Sequence, residues 1–241
     1  MKNFYTDLAL EMAESLNTSD KSQADGVEVE TTTEEDIEIT AVRITNDAGA
    51  AAMQKPIGSY ITIASPALRI NDISTHERII ELLSAQLSEL TSDISKQTIL
   101  VIGLGNSNVT PDALGPKVVA KTLITRHILE TLPEELMGGV LSVCAIAPSV
   151  MGLTGIETAE IVRGLVAHVK PSLVIAVDAL AARKVSRVNS VIQLTNTGIS
   201  PGAGMGTGRM PLNQESLGVP VIAIGVPTVH IMQTRIQLTQ A

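Results

Sequence analysis

The sequence predicts an α/β fold, a three-layer sandwich in which a mostly parallel, twisted sheet is flanked by helices. Three observations carry this. Val- and Ile-rich runs of strand length alternate with stretches of helical apolar period, the pattern of a sheet covered on both faces. Hydrophobic residues make up 44% of the chain, yet Phe4, Tyr5 and Tyr60 are its only aromatics, so the core is aliphatic. At 241 residues the chain is long enough to bury a full core in one large domain.

Residues 8–36 are polar and acidic, and Thr31-Thr-Thr-Glu-Glu-Asp36 reads as a solvated connector. Ile37 to Ile44 alternates apolar and polar residues, as a half-exposed strand does. Tyr60–Ala64 is a second short strand, and the two suit an antiparallel edge. Ser74 and Glu77 have capping-box spacing, and Ile79, Ile80, Leu83, Leu87 and Leu90 follow at helical intervals. Thr98 to Ile102 is a continuous apolar strand that opens into Gly103-Leu-Gly-Asn106, and Pro116 suits the first turn of the next helix. Val140–Ala147 is a buried strand ended by Pro148. Thr154 and Glu157 form a second capping box for a helix that Lys170-Pro171 stops near Val169. Leu173–Val177 is a strand with Asp178 at its tip, and Val188–Thr195 and Val219–Val226 are further strands. Five glycines between Gly198 and Gly208 mark a mobile or tightly turned loop. The ending from Thr228 has no clear cap or period.

Charge and cysteine usage remove several function classes. The net charge is −8, but residues 1–50 carry twelve acids against three bases, and the remaining body is nearly balanced. No basic stripe and almost no base-stacking aromatics are present, so direct nucleic-acid binding is not expected. Cys144 is the single cysteine and lies in an apolar run, which excludes an internal disulfide and reads as a buried, inert thiol. No apolar leader and no window of membrane-spanning length are visible, so a soluble, cytoplasmic setting is expected.

The candidate chemistry rests on two carboxylates. Asp112 lies in Val109-Thr-Pro-Asp-Ala-Leu-Gly-Pro116, beyond the first apolar strand and at a helix start. Asp178 closes Leu173-Val-Ile-Ala-Val177. Carboxyl ends of parallel strands converge on a shared crevice, so the two acids are expected to face one site. Closeness drives the pKa values of paired carboxylates apart and leaves one acid and one base to split a bond with water. A helix cap is the alternative role of each. Gly103, Gly105 and Asn106 form a tight turn whose backbone N–H groups suit an oxyanion, or simply a sharp reversal after a core strand. The turn lacks the third glycine of a dinucleotide fingerprint and the Gly-Lys-Ser/Thr of a phosphate loop. His76, His127, His168 and His230 show no zinc-motif spacing, so neither a metal nor another cofactor is expected. Arg183, Lys184 and Arg187 follow Asp178 closely, either neutralising the acids or lying on a solvated face.

Long ordered strings now carry a resemblance. Gly103-Leu-Gly-Asn106 with Val109–Pro116, Leu123-Ile-Thr-Arg-His127, Ala145-Ile-Ala-Pro148 with Val150–Thr158, Val177-Asp-Ala-Leu-Ala-Ala-Arg183 with Arg187-Val-Asn189, Thr197–Gly202 and Leu217–Thr228 closely resemble the germination proteases of endospore-forming bacteria. The resemblance implies an atypical aspartic-type endopeptidase with a phosphorylase/hydrolase-like fold related to the hydrogenase maturation proteases. It implies small acid-soluble spore proteins as substrates, a spore-core location and a homotetramer. The family's two essential aspartates correspond to Asp112 and Asp178. The family is made as a zymogen that trims its own N-terminus after an acidic residue followed by an apolar residue and Ala. Thr6-Asp7-Leu8-Ala9 fits, so a cut between Asp7 and Leu8 is expected. The implied division is a propeptide at 1–7, an acidic segment at 8–36, a peptidase domain at 37–228 and an atypical tail at 229–241.

Two other readings stand beside this one. A metal-linked maturation peptidase would need His127 or His230 to join the aspartates. A catalytically silent assembly partner is the reading if the tail from Val229 marks a truncated or frameshifted product.

Overall fold

Each aliphatic run becomes a strand, and the strands join in one sheet. The computed structural model describes residues 6–17, 24–70, 72–94, 97–131, 140–201 and 210–231. Its strands are β1 (Val27–Glu34), β2 (Ile37–Ile44), β3 (Gly58–Ala64), β4 (Thr98–Gly103), β5 (Ser142–Ile146), β6 (Leu173–Ala182), β7 (Val191–Thr195) and β8 (Val221–His230). They lie in the spatial order β1-β2-β3-β7-β8-β6-β4-β5. The helices are α1 (Ala9–Asn17), α2 (Asp47–Met53), α3 (Ile73–Leu90), α4 (Leu114–Lys121), the short α5 (Arg126–Leu129) and α6 (Met151–Thr154), α7 (Thr158–Val169) and the short α8 (Gln214–Leu217).

The sheet is mixed rather than mostly parallel. β5, β4, β6 and β8 run parallel, whereas β8-β7, β7-β3, β3-β2 and β2-β1 are antiparallel. Parallel neighbours need a long crossover, and the link between β1 and β2 is far too short for one. β1 and β2 are joined by Glu35 and Asp36 alone, with Glu35 at φ 52. The stretch read as a solvated connector is therefore the end of β1. It was hidden because β1 is exposed along nearly its whole length and has no buried face to imprint an alternation. β2 and β3 pair antiparallel as expected, with β1 as the true edge.

Strand alternation sends residues to two helical layers. Ile99, Val101, Leu173 and Ile222 meet the face covered by α3 and α4. Leu100, Ile102, Val174 and Ala176 meet α7 through Ala159, Val162 and Val166. On that second face, further along the sheet, α1 packs Ala9, Met12 and Ala13 against Val42, Ile44, Tyr60 and Met53 of α2. Both expected capping boxes are displaced. Asp72 is the N-cap of α3, with its carboxylate accepting from the Ser74 and Thr75 hydroxyls. Glu157 is the N-cap of α7, because Gly155 at φ 72 ends α6 after Thr154.

The acidic N-terminal region is bound to the body at its start. Leu8 is fully buried among Leu180, Ala182 and Val191, a contact that contributes about 1.5–3 kcal/mol. Glu11, 3% exposed, accepts the Arg183 and Lys184 backbone N–H groups at 2.8 Å each and the Thr6 hydroxyl. Glu14 pairs with Lys184 and Arg187, both at 2.6 Å, so those two cations face α1. Glu11→Ala should leave two amides without their acceptor and cost about 2–4 kcal/mol, read as a lower midpoint in chemical denaturation.

Candidate active site

The site forms where β4 ends and β6 continues. Gly103 is paired with Val177, and Leu104 then donates to the Val177 carbonyl at 2.8 Å before its chain leaves the sheet. β6 runs on beside β8, with Asp178 opposite Gly225 and pairing maintained to Ala182. Asp178 is thus inside a ten-residue strand rather than at its tip, yet it is the first residue beyond the reach of β4. It is 8% exposed, and its Oδ1 accepts the Ala179 N–H at 2.8 Å.

The departing chain folds back to present Asp112. A 3-10 turn at Thr110–Asp112, entered through Pro111, is held by Asp112 N–H donating to the Val109 carbonyl at 2.8 Å. The Asn106 N–H donates to both the Asp112 carbonyl, at 3.0 Å, and Oδ2, at 2.9 Å. The Thr228 hydroxyl fastens the outside of the turn at the Pro111 carbonyl, 2.6 Å away. Gly105 is required here: it sits at φ +107, and a Cβ would lie 2.1 Å from the Asp112 carbonyl oxygen. In Gly103-Leu-Gly-Asn106, the amides of Leu104 and Asn106 are thus engaged in holding the turn. Gly105→Ala should add at least about 1–3 kcal/mol of backbone strain and displace Asp112, measured as a lower thermal midpoint.

Asp112 and Asp178 line one cavity of about 900 Å3. Thr6 and Asp7 line it too, and their segment is hydrogen-bonded to β6 and β7. Asp7 N–H donates to the Ala181 carbonyl at 3.2 Å, and Asp7 Oδ2 accepts the Ala181 N–H at 2.8 Å. Lys55 Nζ donates to the Asp7 carbonyl at 2.9 Å and is 3.4 Å from the Thr6 carbonyl. Gln193 spans the segment: its Nε2 donates to the Asp7 carbonyl at 3.2 Å, and its Oε1 accepts the Ala9 N–H at 2.7 Å.

Local structure explains why Lys55 reaches this point. Asn46 caps α2 by accepting the Gly49 N–H at 2.8 Å, and Gln54 ends the helix at φ 51, in the left-handed region. That reversal turns Lys55 inward. Burial pulls its pKa below the usual lysine value, while the nearby Asp7 and Glu11 carboxylates oppose the shift. Tyr60, 3% exposed, donates to the Pro56 carbonyl at 2.8 Å, and burial pushes its phenol up to about 12.

Comparison with known proteins shows the family. A sequence profile described as germination protease matches residues 6–238. The chain belongs to the germination protease family. Germination proteases of Clostridium perfringens strain 13 and Clostridium acetobutylicum are 52% and 49% identical to it, each over 95% of this chain and 71% of the relative. The germination protease of Bacillus pumilus is 45% identical over 93% of this chain and 62% of its own length. Peptide hydrolysis is therefore the chemistry this family's site has to support, and the profile match runs past Thr228, where the motifs noted in the sequence end.

Other sequence candidates fall elsewhere. His127 and His230 do not line the cavity, and among the described residues no three His, Cys, Asp or Glu side chains cluster as a metal site. Cys144 is half-buried, burial raises its thiol pKa, and its Sγ lies 3.7 Å from the Ile99 carbonyl. The glycine-rich loop beyond Pro201 lies outside the described residues until Met210. Among the described residues, no helix is long and apolar enough to cross a membrane. Lys55 and Gln193 were missed by sequence reasoning. The available signal for Gln193 was a lone amide amid apolar residues in Val191-Ile-Gln-Leu-Thr195.

Tyr60 gives the cavity wall a pH signature. Its raised pKa favours the neutral phenol in the fold, so the associated stability is present in full below the unfolded pKa near 10 and is lost as pH rises toward about 12. Denaturation midpoints should fall more steeply across that window in the native protein than in Tyr60→Phe.

Proposed function

We propose that this protein is an endopeptidase of spore germination that degrades small acid-soluble spore proteins in the spore core, acting as a homotetramer. It is made as a zymogen that cuts itself between Asp7 and Leu8. The carrying observation is the shared cavity: Asp112, Asp178, Thr6 and Asp7 line it, and the segment from Thr6 to Ala9 is held by hydrogen bonds on both sides of the Asp7–Leu8 bond.

The fit of the segment supports the reading. An acidic side chain at position 7 is met by an amide N–H, the following Leu8 fills a closed apolar pocket, and Ala9, fully buried, leaves no room for a larger residue. A substrate strand of the same acidic-apolar-Ala pattern would bind alike, using backbone bonds for affinity and alternate pockets for specificity. Removal of residues 1–7 empties the part of that position held by Thr6 and Asp7.

Asp112 and Asp178 together hold one proton. The ionised carboxylate takes a proton from water as the water attacks the peptide carbonyl, and the protonated partner later protonates the leaving amine. The Gly103–Asn106 turn holds Asp112 in place for this step. Asp112→Asn keeps an acceptor for the Asn106 amide, so the turn is retained.

Incubation of the purified chain, alone and with a small acid-soluble spore protein, tests the reading through cut sites read by mass spectrometry. Asp112→Asn and Asp178→Asn should each lower both cuts by about 10²–10⁴-fold with an unchanged thermal midpoint. Near-normal turnover by either variant removes the pair from the mechanism. An intact N-terminus in the native protein under all conditions removes the zymogen.

A further inference from the structure

Lys55 and Gln193 belong to no motif read from the sequence, yet both direct an N–H donor at the same atom, the carbonyl oxygen of Asp7. We propose that Lys55 and Gln193 are the oxyanion donors of the self-processing reaction. The proposal rests on the reading above that the Asp7–Leu8 bond is the one cut.

When water adds to the Asp7 carbonyl carbon, a C–O bond forms and the π electron pair moves onto the Asp7 oxygen. The proton lost by the water passes to the ionised carboxylate of the aspartate pair. Collapse returns the electron pair to the carbon and breaks the C–N bond, and the Leu8 nitrogen takes a proton from the carboxylic acid. The products are a new carboxyl group at Asp7 and a free amine at Leu8. Between addition and collapse, negative charge resides on the Asp7 oxygen, where the two donors already point. Donors fixed in advance at such a point need no reorganisation as charge develops, and enclosure strengthens them.

Both donors are held. Gln193 sits mid-strand in β7, paired with Thr62 on one side and Gly225 on the other, and is 6% exposed. Its Oε1 accepts the Ala9 N–H, which fixes the amide orientation and leaves Nε2 facing the Asp7 oxygen. That one side chain therefore grips the segment on both sides of the bond. Lys55 is set by the left-handed turn at Gln54, and its positive charge adds to what a neutral donor supplies. The Gly103–Asn106 turn is differently occupied, since the Leu104 and Asn106 amides hold the Val177 carbonyl and Asp112.

The test follows the Asp7–Leu8 cut in the full chain by intact mass against time, with thermal unfolding as the control for folding. Gln193→Glu keeps the acceptor for Ala9 and replaces the donor with an oxygen. Lys55→Met keeps the length of the side chain and removes the donor and its charge. Each should slow the cut by about 10²–10³-fold, and Lys55→Arg, which restores a charged donor, should recover part of the loss. A folded Gln193→Glu or Lys55→Met protein that cuts within about threefold of the native rate overturns the proposal. Where Lys55→Met does not fold, Gln193→Glu decides alone. A native chain that is never cut at Asp7–Leu8 overturns the self-processing reading itself, an outcome distinct from native cutting with unaffected variants.

Discussion

The unequal length of two neighbouring strands is the constraint on which the site depends. β4 stops at Gly103 opposite Val177, while β6 continues to Ala182 because β8 goes on pairing with it. Beyond that point β6 has one edge without β4. The departing backbone folds over the opening and carries Asp112, and Asp178 is the first residue of β6 past the gap. An open α/β sheet places its crevice where neighbouring chains diverge at the strand ends. Here the divergence lies between two adjacent parallel strands, so the carboxylates are delivered by rigid backbone rather than by loops alone.

The second feature of the site is the way the chain's own N-terminal segment enters it. Peptide groups buried away from water need partners, and the body supplies them around Asp7 and Ala9 through Ala181, Lys55 and Gln193. Glu11 then satisfies the amides at the start of the turn after β6. The acidic character of the N-terminal region is in part this interface: Asp7, Glu11 and Glu14 each bind the stretch from Ala181 to Arg187, one through a backbone amide and the others through amides and cations. The charge imbalance visible in the sequence is not merely a solvated tail.

Parts of the architecture were legible because burial writes a pattern. The strands at Ile37, Tyr60, Thr98 and Leu173 were readable, as was the stop of α7 at Lys170, which is in the left-handed region. β1 was illegible because it has no buried face. The parallel character was overestimated because an apolar run reveals burial but not direction, and only the short link at Glu35–Asp36 and the pairing of β7 with β3 and β8 decide that. Both capping boxes were misplaced by a few residues, since Ser, Thr, Asp and Glu near a helix start compete for one position and local geometry selects among them.

The sequence alone determined the aliphatic two-faced core, the glycines that permit a tight return at Gly105, the place of Asp112 beyond the strand that ends at Gly103, and the family. These are local or compositional properties, recorded in residue type and spacing. Tertiary structure alone decided that both aspartates line one cavity, that Thr6 and Asp7 line it with them, and that Lys55 and Gln193 converge on one carbonyl. Those relations join residues far apart in the chain, and they are set by strand register and by where β4 stops, which no local pattern of side chains encodes.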